Sequence, residues 1–315
     1  MTEERSNHKR EEEVVAQYHP KCAAADYADA YRSGPAARYF RSRLYLISHI
    51  LASSPGGDLV DIGCGPGMMV RELLDTRPED FRITALDRSG AMVTECAARA
   101  DGARNVATLV ARVERMPFRD ASFDVALAMG VLEYADAVAA LAEIARVLRP
   151  DGRLLATMLN PMSPYRLVEW HVYWPLLRMV GRVERWLHVP LERRHGAADT
   201  GIRAYRERTF REMLVKAGMS TKDVVYYDVT VLVPPIDRVA RRLAHRWHEH
   251  PERTVSRGWQ KHFGTAFMVV ATPSPGPSGV PVSRLFGSMH GRGLVGRCGC
   301  RRRRAGCVVG SGGRF

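Results

Sequence analysis

Residues 58–70, DLVDIGCGPGMMV, restrict the fold more than any other part of the chain. A short apolar run ends in glycine, glycines recur at 63, 65 and 67, and the helical pattern MMVRELLD follows at once. Glycine has no Cβ, so it reaches positive φ and lets another group approach the backbone. A strand that turns on glycine into a helix also gathers the first helical N–H groups at one point, where an electron-rich ligand is favoured. Such a junction belongs to a sheet covered by helices.

The downstream pattern extends this reading. FRITALD (81–87) is a second strand, and SGAMVTECAARA (89–100) is a helix with Ser89 as its N-cap. NVATLVA (105–111) and FDVALAMG (123–130) are further strands. DAVAALAEIARVLR (136–149) has helical apolar spacing and is expected to run up to Pro150, after which DG turns into the strand RLLATML (153–159). Alternation of this kind makes a parallel sheet with helices on both faces.

Beyond residue 160 the pattern changes. SPYRLVEWHVYWPLLRMVGRVERWLHVP (163–190) is aromatic and amphipathic, with an expected interruption at Pro175. TFREMLVKAGM (209–219) reads as a helix ending at Gly218. DVVYYDVTVLV (223–233) and GTAFMVVAT (264–272) read as closing strands, an antiparallel addition to the sheet edge.

The chain ends set the outer limits. Residues 273–315 are rich in Gly, Pro, Ser and Arg without periodicity, and are expected to be disordered. That segment has eight arginines and no acid, so without it the formal net charge falls from +13 to +5. The excess charge therefore does not point to nucleic acid, and no nucleic-acid partner is expected. The first residues are densely charged, with no apolar run like that of a signal peptide, and no stretch approaches ~18 apolar residues. The expected location is cytoplasmic. Cys22, Cys64 and Cys96 are scattered, as in a reduced compartment. Cys298, Cys300 and Cys307 flank four arginines, which disfavours a metal centre, and no metal is expected.

Asp87 ends the second strand twenty residues past Gly67, where a carboxylate can accept both hydroxyls of a ribose. Taken alone, these features leave a nicotinamide dinucleotide open as the ligand. The series LVDIGCGPGMM, ITALDRSGAMV and VERMPFRDASFDVALAMGVLEYADAVAALAEIARVLRPDGRLLATM is more specific. It resembles the successive motifs of class I S-adenosylmethionine-dependent methyltransferases. The likeness is to the small-molecule branch that includes the quinone-biosynthesis C-methyltransferases, and it covers about residues 38–272.

The resemblance implies an α/β fold, a seven-stranded Rossmann-like sheet that is mostly parallel with its last strand antiparallel. It divides the chain into a charged arm with lid helices (1–37), a methyltransferase domain (38–272) with an aromatic cap insertion at about 161–205, and the tail. It implies S-adenosylmethionine as cofactor and S-adenosylhomocysteine as product. Asp61, Gly63, Cys64, Gly65 and Gly67 would face the methionine part, Asp87 the ribose, and Arg88 and the Val113 N–H the adenine. Met129 would sit near the cofactor and Glu133 near the acceptor entrance. The family pattern places an aspartate where this chain has Arg112, which carries donors only. Arg112 could instead stack on the adenine ring, or Glu114 could substitute as the acceptor.

The acceptor side is read from the residues. Tyr165, Trp170, Tyr173 and Trp174, with Tyr31 from the N-terminal segment, are expected to line a cavity for a small hydrophobic or ring-containing metabolite. Helix packing, a homodimer contact and a transient membrane or lipid contact are the other readings of this insertion. His171, His195 and Glu133 are the candidate bases. The competing functions are an RNA methyltransferase and a non-catalytic binding partner that keeps the fold.

Overall fold

The computed structural model describes residues 27–29, 37–189, 202–234, 236, 255 and 258–273. Tyr31, His195 and the basic tail beyond residue 273 lie outside the described residues.

The chain order is α1 (Ala37–Leu51), β1 (Gly57–Ile62), α2 (Met68–Thr76), β2 (Phe81–Asp87), α3 (Gly90–Ala100), β3 (Val106–Val110), β4 (Phe123–Ala128), α4 (Ala137–Val147) and β5 (Leu148–Leu159). Then come α5 (Pro164–Val168), a π-helical turn (Glu169–Tyr173), α6 (Trp174–Trp186), α7 (Glu207–Lys216), β6 (Ser220–Val229) and β7 (Gly264–Thr272). The sheet order is β3-β2-β1-β4-β5-β7-β6. β1 to β5 pair in parallel, and β7 runs antiparallel between β5 and β6. The seven-stranded, mostly parallel sheet is thus present, with its reversed strand inserted one place in from the edge.

Successive residues of a strand face opposite sides of a sheet, and the core divides accordingly. Leu59, Ile83, Val125, Leu155, Met268 and Val270 face α1, α2 and α3, where Leu46, Ile47, Ile50, Met69 and Leu73 meet them. Val60, Leu86, Ala126, Leu154, Phe267 and Val269 face α4 and α7, which contribute Leu141, Ile144, Phe210 and Leu214. Each fully buried Val, Leu, Ile, Phe or Met side chain among these stabilises the fold by about 1.5–3 kcal/mol.

Two expected boundaries are corrected. α4 ends at Val147 rather than at Pro150, because Leu148 is already extended and starts β5 opposite Phe123. Pro150 therefore lies within a strand that takes a register shift at Phe123/Val125. Pro175 does not interrupt its helix. The run from Pro164 to Trp186 stays helical throughout, and the π turn Glu169–Tyr173 just ahead of Pro175 loosens the backbone where the proline's N–H is missing.

Candidate functional site

Strand order reverses between β1 and β4, and open α/β sheets hold ligands in the crevice at the carboxyl ends of the strands flanking such a point. A cavity of about 1050 Å³, counting its open mouth, lies there. Its walls come from the loops after β1, β2, β3 and β4, from α1 and from the N-terminal segment.

The floor is the glycine turn. The Gly63 and Cys64 amides both donate to the Leu86 carbonyl, at 2.8 and 2.9 Å, which ties the turn to β2. Gly63 has φ 68°, and a Cβ there would stand 2.8 Å from the Val131 Cβ. Gly67 has φ 79°, and a Cβ would lie 2.8 Å from both the Cα and the Sγ of Cys96. Both positions therefore need glycine for packing as well as for conformation. Cys64 is buried and its thiol is pushed well up, first by the Cys96 thiol beside it and then by burial, so it is no nucleophile at neutral pH.

Asp87 closes one side. Its Oδ2 accepts from the Gly65 amide at 3.0 Å and its Oδ1 from the Ser89 amide at 2.8 Å. Burial nevertheless pushes its carboxyl up, these bonds opposing the effect. Ser89 caps α3 by accepting from the Met92 amide, as the sequence indicated. Arg88, Val113 and Met129 also line the cavity, together with Arg112 and Glu114. Arg112 Nε donates to Glu114 Oε2 at 3.4 Å, so the arginine in the aspartate's usual place is turned toward a carboxylate two residues on.

Asp61 sits behind this floor on the α1 side of β1. It is fully buried, and both carboxylate oxygens are without a hydrogen-bond partner in the fold. Burial pushes its pKa up to about 7, with Arg43 pulling it down and Asp87 adding to the rise. A buried carboxylate in this condition is a costly thing to keep unless a ligand satisfies it.

Arg43 is the residue that sequence reasoning missed. It is 2% exposed, lines the cavity, and packs its guanidinium over Tyr39 and Phe40 at 5.3 and 5.1 Å. Its Nη1 stands 2.9 Å from where a Gly130 Cβ would be. The available signal was a charged residue on the apolar face of α1, between Phe40 and Leu46–Ile47. Tyr27, also in the wall, lies 3.7 Å from the ideal Cβ position of Gly65 and meets Phe40 edge-on at 5.4 Å.

The aromatic insertion is placed elsewhere. Tyr165 is buried under Arg166, Trp170 packs against the α1-side core, and Tyr173 meets Trp174 at 5.2 Å; none of the four is in the cavity wall. His171 is exposed. Glu133 is buried and outside the wall, its carboxyl pushed up to about 7 by burial, whereas its neighbour Tyr134 lines the cavity. Among the described residues no group of three or more His, Cys, Asp or Glu could hold a metal ion. No helix among them is long and apolar enough to cross a membrane.

Residues 60–156 match a family model described as a methyltransferase domain. Over that segment the chain is similar to methyltransferase domains. The chain is 36% identical over 118 residues to a malonyl-[acyl-carrier protein] O-methyltransferase of Hahella chejuensis, which is 36% of this chain and 41% of that protein. It is 32% identical over 124 residues to a ubiquinone/menaquinone biosynthesis C-methyltransferase of Geotalea daltonii, 38% of this chain and 52% of that one. The alignment thus spans about half or less of these curated relatives. A solved methyltransferase of Thermotoga maritima superposes on 83% of this chain and all of its own with a TM-score of 0.52 at 17% identity, a likeness of fold alone.

Proposed function

We propose that this protein is a methyltransferase that moves a methyl group from S-adenosylmethionine to a small apolar or ring-containing metabolite. The observation that carries the reading is the convergence of the glycine turn and the Asp87 carboxylate on one cavity, with the unsatisfied carboxylate of Asp61 directly behind. These residues fit the cofactor: Asp87 would take the ribose diol, Asp61 and the glycine turn the methionine end, and Arg88 and Val113 the adenine.

The cofactor would supply an already activated methyl on a sulfonium. The protein's own contribution is then alignment and exclusion of water, and alignment of well-placed reactants accounts for about 7–11 kcal/mol of a barrier. Glu114 would offer the acceptor that Arg112 lacks, and the bond between them would hold it in place. Tyr27, Met129, Val131 and Tyr134 give the cavity its aromatic and apolar walls, which support an acceptor of that kind. The two relatives are named for different reactions, O-methylation of malonyl-[acyl-carrier protein] and C-methylation in ubiquinone/menaquinone biosynthesis, which supports no single acceptor compound.

Calorimetric titration with S-adenosylmethionine and S-adenosylhomocysteine tests this. Saturable binding well below about 1 mM is expected. Absence of binding at that concentration defeats the enzyme reading, and binding of NADH in its place would support a dinucleotide enzyme. Transfer of labelled methyl to a panel of phenols, quinols and acyl carboxylates then identifies the acceptor.

A further inference from the structure

Helix α6 buries none of its residues. Val172, Leu176, Met179, Val183, Trp186 and Leu187 are each more than half exposed, Trp186 at 77%. Their spacing of three and four residues puts them in one continuous stripe, and a contiguous apolar stripe of this kind marks an interaction surface where scattered residues would not.

Charge identifies the occupant. Arg178, Arg182 and Arg185 are all exposed, and helical spacing sets them along one flank of the stripe. Glu184 is the one acid on the helix. A second copy of α6 laid against this stripe would bring arginines toward arginines with almost no acid to offset them. An anionic surface with an apolar layer beneath meets both features, and a tryptophan-ended helix with a basic flank is the kind that lies in the plane of a membrane interface. We propose that α6 docks the protein on an anionic lipid bilayer, with Leu176, Met179, Val183 and Trp186 entering the headgroup boundary and the arginines meeting lipid phosphates. β5 delivers the chain to this helix at the carboxyl edge of the sheet, the edge that also holds the cavity, so docking would bring the cavity's side of the sheet to the bilayer. The docking surface stands whether or not methyl transfer is the reaction.

The test uses the full chain with vesicles of phosphatidylcholine containing phosphatidylglycerol, and with phosphatidylcholine alone, in co-sedimentation. Arginines 301–304 give the chain a second route to anionic vesicles, so the variants must separate the two. Leu176→Ser/Met179→Ser changes no charge and replaces only half-exposed side chains, so its melting temperature should match the parent. Its affinity for the mixed vesicles should fall about tenfold or more. Brominated lipid should quench a fluorescence component that disappears in Trp186→Phe. Three results would overturn the proposal: no binding by the parent chain, undiminished binding by the double variant, or a dimer in solution that the same variant dissociates without any effect of lipid.

Discussion

The Gly65 amide donates to Asp87 Oδ2 at 3.0 Å, pinning the glycine turn to a carboxylate twenty-two residues further along the chain. One side chain thereby shapes the loop and faces the cavity. Asp87→Ala should weaken S-adenosylhomocysteine binding by roughly 1–3 kcal/mol, the usual cost of losing charged hydrogen bonds. Calorimetry reads this directly, and unchanged affinity would refute the ribose assignment.

Gly67→Ala should destabilise the fold. The left-handed conformation costs alanine about 1–2 kcal/mol, and the Cys96 backbone adds to it. Thermal unfolding should show a lowered midpoint that Cys96→Ala does not restore, because the Cys96 Cα is itself 2.8 Å from the added methyl. Full rescue by that second change would mean the thiol alone sets the limit.

Arg38 pairs with Asp228 where α1 meets the end of β6, and Asp228 also accepts from the Thr265 hydroxyl. Both members of the pair are nearly buried, at 11% and 4% side-chain exposure. Arg38→Met strands the carboxylate and should cost about 3–5 kcal/mol in urea unfolding. The double variant Arg38→Met/Asp228→Asn should recover part of that loss; additive losses would show that the pair is not coupled.

Stability should also fall with rising pH. Asp61 and Glu133 are both pushed up to about 7, burial being the largest cause and Arg43 opposing it in each. The unfolded chain releases these protons near about 4, so between about pH 4 and 7 the native state binds more of them and loses stability as pH increases. Above the native values the loss is complete. Asp61→Asn and Glu133→Gln remove this dependence, so the parent should lose ground to each variant between pH 5 and pH 7.5 in urea titrations. Parallel pH profiles would show that the carboxyls are not protonated in the native state.

The sheet and the glycine turn were legible because both are local: alternating apolar residues, glycines at fixed spacing, Ser89 at a helix start. Arg43 was not, because its role depends on α1 packing against β6 and α2 so that Arg43 comes near Asp61, a relation that no short segment encodes. The density of Tyr165, Trp170, Tyr173 and Trp174 suggested a cavity lining, yet these rings serve packing beside α1 and one another. Aromatic density reports a need for burial and leaves the partner unspecified. Pro175 misled for a related reason, since the sequence does not show that a π turn beside a proline lets the helical run continue past it.

The reversed strand β7 has a consequence for biosynthesis. It is the last strand of the sheet to leave the ribosome, yet it lies between β5 and β6. Until it arrives, the nascent chain carries β5 as an open edge and β6 with no neighbour to pair with, a state prone to aggregation. Completion of this fold therefore waits on the end of translation of residue 272, and any truncation ahead of it removes an interior strand rather than trimming a border.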